Sequence, residues 1–245
     1  MESPRVGILI QARSTSTRLP GKIFEGLPGP EDPSILEHIY RRMSGIETSD
    51  LCLILVPDTD HDLIDFCEQH GFPYFTGPEL DVRERYRQAA RTYNLDIIVR
   101  ATGDNPCVDP EIAAETIEGI KRHDVDLLSF ANLPLGIAVE AFRADALHDD
   151  SVPARPEHRE HVSIHMKQNK DLFRVLHLKH PLMNRFEDIK PPRLTVDTLE
   201  DLEVVRGVFR LMGEEFRTAD VMELFAGGEE FFSANKHVEQ LMFLS

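Results

Sequence analysis

The chain has no tryptophan, three cysteines, no membrane-length apolar run and a shortage of positive charge. Each shortage removes a class of function. Lysine and arginine total 27 against 43 aspartates and glutamates, for a net charge of −16. A general nucleic-acid binder needs a basic face, so that class is excluded. An anionic ligand must instead be met by a local basic site or a metal ion. Cys52, Cys67 and Cys107 are far apart and odd in number. They imply neither a disulfide framework nor a CxxC centre, and a reducing compartment is expected. Arg5 is followed by only a strand-length apolar run, so no leader pattern is read and no membrane span is expected. The expectation is a soluble, cytoplasmic protein. What is present is ordinary: 245 residues, 41% hydrophobic and 29% charged, enough for one domain over residues 1–245 with a full core.

Continuous apolar runs at residues 6–10, 51–56 and 97–99 read as buried strands, with a short one at 72–75 and another at 125–130. Helical spacing fills the gaps. Ser34 caps a helix through Ile35, Leu36, Ile39 and Met43, Asp60 starts one stopped by Gly71, and arginine-rich residues 81–93 and residues 110–121 form two more. Strands alternating with helices argue for a mostly parallel sheet flanked by helices. From Ala131 the rhythm changes. Residues 137–142 alternate like an antiparallel strand, 157–168 read as a helix, and 173–178 and 193–196 read as strands. Residues 131–192 are therefore expected to form a small antiparallel substrate or dimerisation region. Thr198, with Asp201 three residues on, opens a helix to Met212 in an approximate capping box. A helix at 219–225 precedes Gly227-Gly228, and residues 227–245 are a C-terminal extension with apolar residues that pack on the body or on another subunit.

Residues 11–22, QARSTSTRLPGK, follow the first strand and carry Arg13, Arg18 and Lys22. A basic, turn-rich loop at a strand's carboxyl end suits a phosphate. It is not a Walker A loop, because Ser16 stands at the first glycine position and Ile23 follows the lysine. GxGxxG is absent, which disfavours a dinucleotide fold. Arginines fork onto phosphate oxygens and a lysine adds a point charge. Asp104, in Thr102-Gly103-Asp104-Asn105-Pro106 after the fourth strand, suits Mg²⁺; an Asx turn before Pro106 is the structural alternative. Asp109 reads as a helix cap before Pro110. Asp197 also ends a predicted strand, and two carboxylates meeting at the edge that bears the basic loop would hold Mg²⁺ on a triphosphate. His161 and His165 are spaced to share a helix face, but HExxH and a neighbouring cysteine are missing, so a surface or substrate-facing pair is favoured over zinc. Glu140, on the alternating stretch, is by itself an ordinary solvated acid.

Taken together these stretches resemble the cytidylyltransferase-like family typified by spore-coat polysaccharide biosynthesis protein F. More distantly they resemble CMP-KDO synthetase and acylneuraminate cytidylyltransferases. QARSTSTRLPGK is similar to the family's QARxxSTRLPGK, and residues 100–110 to RxTGDxPxxDP. Residues 159–162 are similar to REHV, and residues 193–202 to RLTVDTPEDL. The matches run in order from about residue 6 to 212, leaving the C-terminal thirty-odd residues outside. The resemblance implies a GT-A-like nucleotidyltransferase fold and transfer of a nucleoside monophosphate, with CTP as the expected donor, to a sugar or sugar acid in surface-glycan biosynthesis. It implies that Gln11, Ala12, Arg13, Ser16, Arg18, Lys22, Arg100, Thr102, Gly103 and Asp104 meet the nucleotide. Arg13, Lys22, Asp104 and Asp197 would be catalytic, with Mg²⁺ on the two aspartates. Glu140, Arg159, Glu160 and His161 would be sugar contacts, and a homodimer is expected. Ala138 departs from the GLDVE-like pattern, which affects the sugar contacts, and Leu199 replaces a proline.

Three other readings compete: the same chemistry with another base such as guanine, a GT-A glycosyltransferase consuming a nucleotide sugar, and a non-catalytic nucleotide-binding regulator. The glycosyltransferase class leans on Asp-x-Asp. The triplets here, Asp58-Thr-Asp60 and Asp124-Val-Asp126, place Asp60 at a helix start and Asp126 within a strand. Intact Asp104, Asp197 and basic loop argue against the regulator.

Overall fold

A computed structural model describes residues 3–153 and 155–239. The apolar runs become β1 (Val6–Gln11), β2 (Leu51–Pro57), β3 (Tyr74–Gly77) and β4 (Ile97–Thr102). Between them lie α1 (Ile35–Ser44), α2 (His61–His70) and α3 (Val82–Tyr93), and α4 (Pro110–Arg122) follows. The chain continues through β5 (Leu127–Phe130), β6 (Glu140–Arg143), α5 (Ala144–His148), α6 (Pro156–Glu160), α7 (Ile164–Gln168) and β7 (Val175–Leu178). After a 3₁₀ helix at Pro181–Phe186 come α8 (Leu199–Met212), α9 (Thr218–Ala226) and a last 3₁₀ helix at Glu230–Ser233.

One sheet holds all seven strands in the order β3-β2-β1-β4-β6-β5-β7. Both faces are covered, which is why the central strands are apolar throughout instead of alternating. Val6, Ile8 and Ile10 pack with α1, α4 and α8, whereas Leu9 packs with Tyr86, Ala89 and Ala90 of α3. That split follows from the two-residue period of a strand. Caps close the helices as their sequences require. Ser34 with Glu37 and Thr198 with Asp201 form reciprocal capping boxes, and Asp109 caps α4 ahead of Pro110.

The antiparallel character expected for residues 131–192 resides in β6, which pairs antiparallel with both β4 and β5, while β7 pairs parallel with β5. Because β6 runs backwards, its first residue, Glu140, lies at the carboxyl edge of the parallel strands, opposite Arg100.

Two expectations are corrected. Residues 193–196 are extended but join no strand. β4 already has β1 and β6 as neighbours, so the segment crosses the loops instead, through Leu194 N–H to Leu135 O at 2.8 Å and Val196 N–H to Asp104 O at 2.8 Å. Gly136, at φ +98°, permits this crossing, since a Cβ there would lie 2.6 Å from Thr195 N. The helix expected over 157–168 breaks between α6 and α7. Val162 is buried there, and the Ser163 hydroxyl donates to Glu140 at 2.7 Å. The C-terminal extension, as far as it is described, packs on the body: Phe231 lies against α8, where a Cβ on Gly207 would come within 2.4 Å of its ring. Its residues 240–245 lie outside the described residues.

Candidate active site

The basic loop is held in shape by Asp60. This carboxylate accepts from the Ser14 amide and hydroxyl, each at 2.7 Å, while it caps α2 through Leu63 N–H. Gly21, at φ +70°, turns the chain so that Lys22 opens a short 3₁₀ helix. The lysine side chain is thereby directed inward and is 7% exposed. Its ammonium donates to Asp197 Oδ1 at 2.9 Å, to Val196 O at 2.6 Å and to Asp104 Oδ2 at 3.3 Å. The two strand-end aspartates thus lie against each other across one cation, at the foot of the loop.

Asp104 reaches this position because the loops after β1 and β4 touch. Gly103 N–H donates to Gln11 O at 2.8 Å, and a Cβ on Gly103 would lie 2.9 Å from that of Ala12. The Thr102 hydroxyl donates to Asp104 Oδ1 at 2.6 Å, leaving Oδ2 toward Lys22. Asp197 is more enclosed. Its Oδ2 accepts from Arg18 at 2.8 Å and from Arg193 at 2.6 Å. Burial alone would raise its pKa. Lys22, Arg18 and Arg193 outweigh burial, and the carboxyl titrates below its ordinary value.

Arg13 is exposed and, among the described residues, has no ion pair; Ser16 is half-buried. A second cluster adjoins the first. Gln11 Oε1 accepts from Arg100 at 3.2 Å, and Arg100 lies 3.8 Å from Glu140, which also pairs with Lys167 and accepts from Ser163. Against the penalty of burial, Lys167 and Arg100 hold the Glu140 carboxyl below its usual pKa. His161, at the break between α6 and α7, has its pKa lowered by burial, with Arg100 and Lys167 adding to the effect. Arg159 and Glu160 are exposed, and Arg159 lies 3.8 Å from Asp81. No contact joins either of them to Asp104, Asp197 or Glu140 among the described residues.

The zinc alternative fails on geometry. His161 and His165 flank the helix break, and His165 is buried with Nε2 on Ala146 O at 3.2 Å. No cluster of three or more His, Cys, Asp or Glu side chains forms a metal cage among the described residues. Two carboxylates beside a basic loop are a different donor set. They fit Mg²⁺, which takes one or two carboxylates and completes its shell with phosphate and water. The cysteines are buried and free, with thiols pushed up to about 12, so no thiolate chemistry is available. The Asp-x-Asp triplets are structural: Asp60 clamps Ser14, and Asp126 accepts from the Arg174 amide at 2.7 Å. No helix among the described residues is long and apolar enough to cross a membrane.

Arg193 and Asp201 escaped the sequence reading as site residues. Arg193 forks between Asp197 and Asp201, with Nε to Asp201 Oδ1 at 2.9 Å. Asp201 was legible only as a helix cap.

Residues 7–244 match the sequence profile of the family described as Cytidylyltransferase. The chain belongs to that family. Its match includes the C-terminal extension, which the sequence resemblance left out. The chain is 34% identical over 214 residues to spore coat polysaccharide biosynthesis protein SpsF of Bacillus subtilis, covering 84% of this chain and 87% of that one. It is 31% identical over 112 residues to 3-deoxy-manno-octulosonate cytidylyltransferase of Trichlorobacter lovleyi, covering 45% and 42%. The structure superposes on that of a cytidylyltransferase from Leptospira borgpetersenii at TM-score 0.86 and 29% identity, over 97% of this chain and all of the other. The protein is therefore a nucleotidyltransferase with a GT-A-like fold.

Proposed function

We propose that this enzyme transfers CMP from CTP to a hydroxyl of a sugar or sugar acid, releasing pyrophosphate, in surface polysaccharide biosynthesis. The observation that carries this is the convergence of Lys22, Asp104 and Asp197 beneath a loop bearing Arg13 and Arg18. The names of the relatives above support cytosine as the base. In the reaction the acceptor oxygen bonds the α-phosphorus as the bond to the pyrophosphate oxygen breaks, and the hydroxyl proton passes to solvent. Mg²⁺, held by Asp104 and Asp197, would neutralise charge on the phosphate oxygens. Arg13, Arg18 and Lys22 bind the triphosphate and take up charge on the leaving group. Arg18 and Lys22 are the loop cations that, with Arg193, neutralise Asp197 without ligand, so an incoming triphosphate exchanges for a carboxylate already in place on those two. Gln11 and Arg100 brace the nucleotide side of the loop.

We assign the acceptor to a cavity of about 1140 Å³ that opens beside Arg193, at the carboxyl ends of β5 and β7. Lys179, Lys190 and Lys236 line it, exposed and without an ion pair among the described residues. Glu187 and Glu239 also line the cavity, but with Arg193 the cations outnumber them four to two, which in so acidic a chain favours an acceptor bearing a carboxylate or phosphate. Glu140, already engaged by Lys167, Ser163 and Arg100, braces the site in this reading, and His161 feels the charges of the same Arg100 and Lys167.

The test is pyrophosphate release with Mg²⁺, screening four nucleoside triphosphates against neutral sugars, sugar acids and sugar phosphates. CTP with an anionic sugar is expected to lead. Preference for another base, or nucleotide binding without release under any pairing, would defeat the reading.

A further inference from the structure

The C-terminal segment reaches the active-site carboxylate through one buried side chain. Asn235 is 5% exposed. Its amide nitrogen donates to Asp201 Oδ1 at 2.9 Å and to the backbone oxygen of Arg193 at 3.0 Å. Asp201 is fully buried and accepts from Arg193 Nε at 2.9 Å, from Asp197 N–H at 3.0 Å and from Thr198 N–H at 3.2 Å. Arg193 in turn donates to Asp197 Oδ2 at 2.6 Å. The path Asn235–Asp201–Arg193–Asp197 is therefore continuous, and its first member comes from the tail. Aromatic packing fixes the tail: Phe231 seats on α8 over Gly207, and the Phe225 and Phe232 rings meet at 5.0 Å.

Asp197 has three cationic partners, but they are not equivalent. Arg18 and Lys22 belong to the phosphate loop and turn to the triphosphate once it binds. Arg193 lies outside that loop, and Asp201 holds its other edge. We infer that Asn235 is a positioning residue for Asp197: by locking the Asp201–Arg193 pair it keeps this carboxylate aimed when the loop cations leave it. The C-terminal segment is then part of the catalytic scaffold. This inference rests on the reading of Asp104 and Asp197 as the Mg²⁺ carboxylates. Partners that orient metal ligands are typically worth about 10–100-fold in metal affinity or activity.

The experiment compares full-length wild type, Asn235→Ala, Asn235→Ser and Arg193→Lys. Mn²⁺ binding is followed by electron paramagnetic resonance with CTP present and no acceptor, and pyrophosphate release is measured against Mg²⁺ concentration. Asn235→Ala is expected to weaken Mn²⁺ binding and to raise the half-saturating Mg²⁺ concentration about 10-fold, with KM for CTP nearly unchanged. Excess Mg²⁺ should restore the rate, and Asn235→Ser should fall between wild type and Asn235→Ala. Arg193→Lys keeps the charge but cannot fork between two carboxylates, and should shift the midpoint at least as far. A purely structural role would lower the folded fraction, and so the amplitude at every Mg²⁺ concentration, without moving the midpoint. Unchanged midpoints in folded Asn235→Ala and Arg193→Lys, beside a metal-dependent wild type, overturn the inference and leave the proposed function standing. A wild type that neither binds Mn²⁺ nor needs Mg²⁺ overturns both.

Discussion

Two carboxylates at the carboxyl edge of the sheet are wrapped in cations, and they are wrapped differently. Asp197 is held by Arg18 and Lys22 from the loop after β1 and by Arg193 from its own segment. Glu140 is held by Lys167 of α7, Ser163 and Arg100 of β4. The partners of Asp197 include a loop arginine with a third of its side chain exposed, which in the proposed reaction exchanges carboxylate for phosphate. Those of Glu140 sit on or beside regular elements, Arg100 on β4, Lys167 on α7 and Ser163 just before it. Under the proposed function, the same ionic chemistry serves as a releasable charge store in one place and as a brace in the other. A carboxylate's role follows from what carries its partners as much as from the partners themselves.

Removing each carboxylate is the most direct way to break this comparison. We predict that Asp197→Ala and Asp104→Ala each lower turnover by about 10³-fold, since several kcal/mol of charge stabilisation depends on them. Glu140→Ala should lower it by no more than about 10-fold. Pyrophosphate release at saturating Mg²⁺ measures both, and comparable losses at Glu140 and Asp197 would erase the distinction. Lys22→Ala comes next, at about 10²-fold in kcat/KM, because one donor to the reacting phosphates is lost. Near-normal kinetics in that variant would show that the ammonium only separates Asp104 from Asp197 in the resting enzyme.

How far the sequence revealed these two clusters depends on how local each is. The loop of residues 11–22 was legible because its three cations lie within ten residues and its shape needs only Gly21 and a nearby acid. Asp104 and Asp197 were legible as strand-end or segment-end acids. Their meeting across Lys22 was a required outcome that the geometry supplied. The register that sets Glu140 opposite Arg100 was not readable, because alternation reveals a strand but not its neighbour. Residues 193–196 misled for the same reason: an extended apolar segment has one signature whether or not a strand is free to pair with it. The helix over 157–168 failed where Ser163 prefers the Glu140 carboxylate to the helix. Asn235 left no trace at all, as its two bonds are made to residues distant in the chain.

The bracing role is tested by stability. Glu140→Gln removes the charge that Lys167 and Arg100 share in a partly buried setting, and we predict a loss of about 2 kcal/mol in chemical denaturation. An unchanged midpoint would mean that the brace carries no load. Acid sharpens the contrast from another side. His165, on α7 with Lys167, titrates at about 4 because it is buried, with Arg83 adding to the effect. The unfolded chain, with its histidine near 6.5, takes up the proton first. Stability should therefore fall as the pH drops from about 6.5 to about 4, by about 3 kcal/mol from this group, and no further below that. Asp197 and Glu140 titrate below their ordinary values, so their contributions are present above the usual carboxylate range and go only at lower pH. His165→Leu should flatten the upper part of the acid limb in thermal melts followed against pH, and an unaltered limb would contradict the assignment.

The smallest predicted effect concerns Arg159, a resemblance-based sugar contact that the structure leaves outside both clusters. Its side chain is 66% exposed and 3.8 Å from Asp81, which caps α3. An ion pair that exposed is screened and entropically costly to hold, so Arg159→Ala should change stability by less than about 0.5 kcal/mol. KM for CTP should not move, because the loop proposed to bind phosphate is built without Arg159. KM for the acceptor is the discriminating measurement. If it also stays put, the acceptor is recognised through the lysine-lined cavity beside Arg193. If it rises several-fold, the segment at the α6–α7 break folds over the acceptor in the complex, and the Glu140 cluster beneath it becomes a substrate surface.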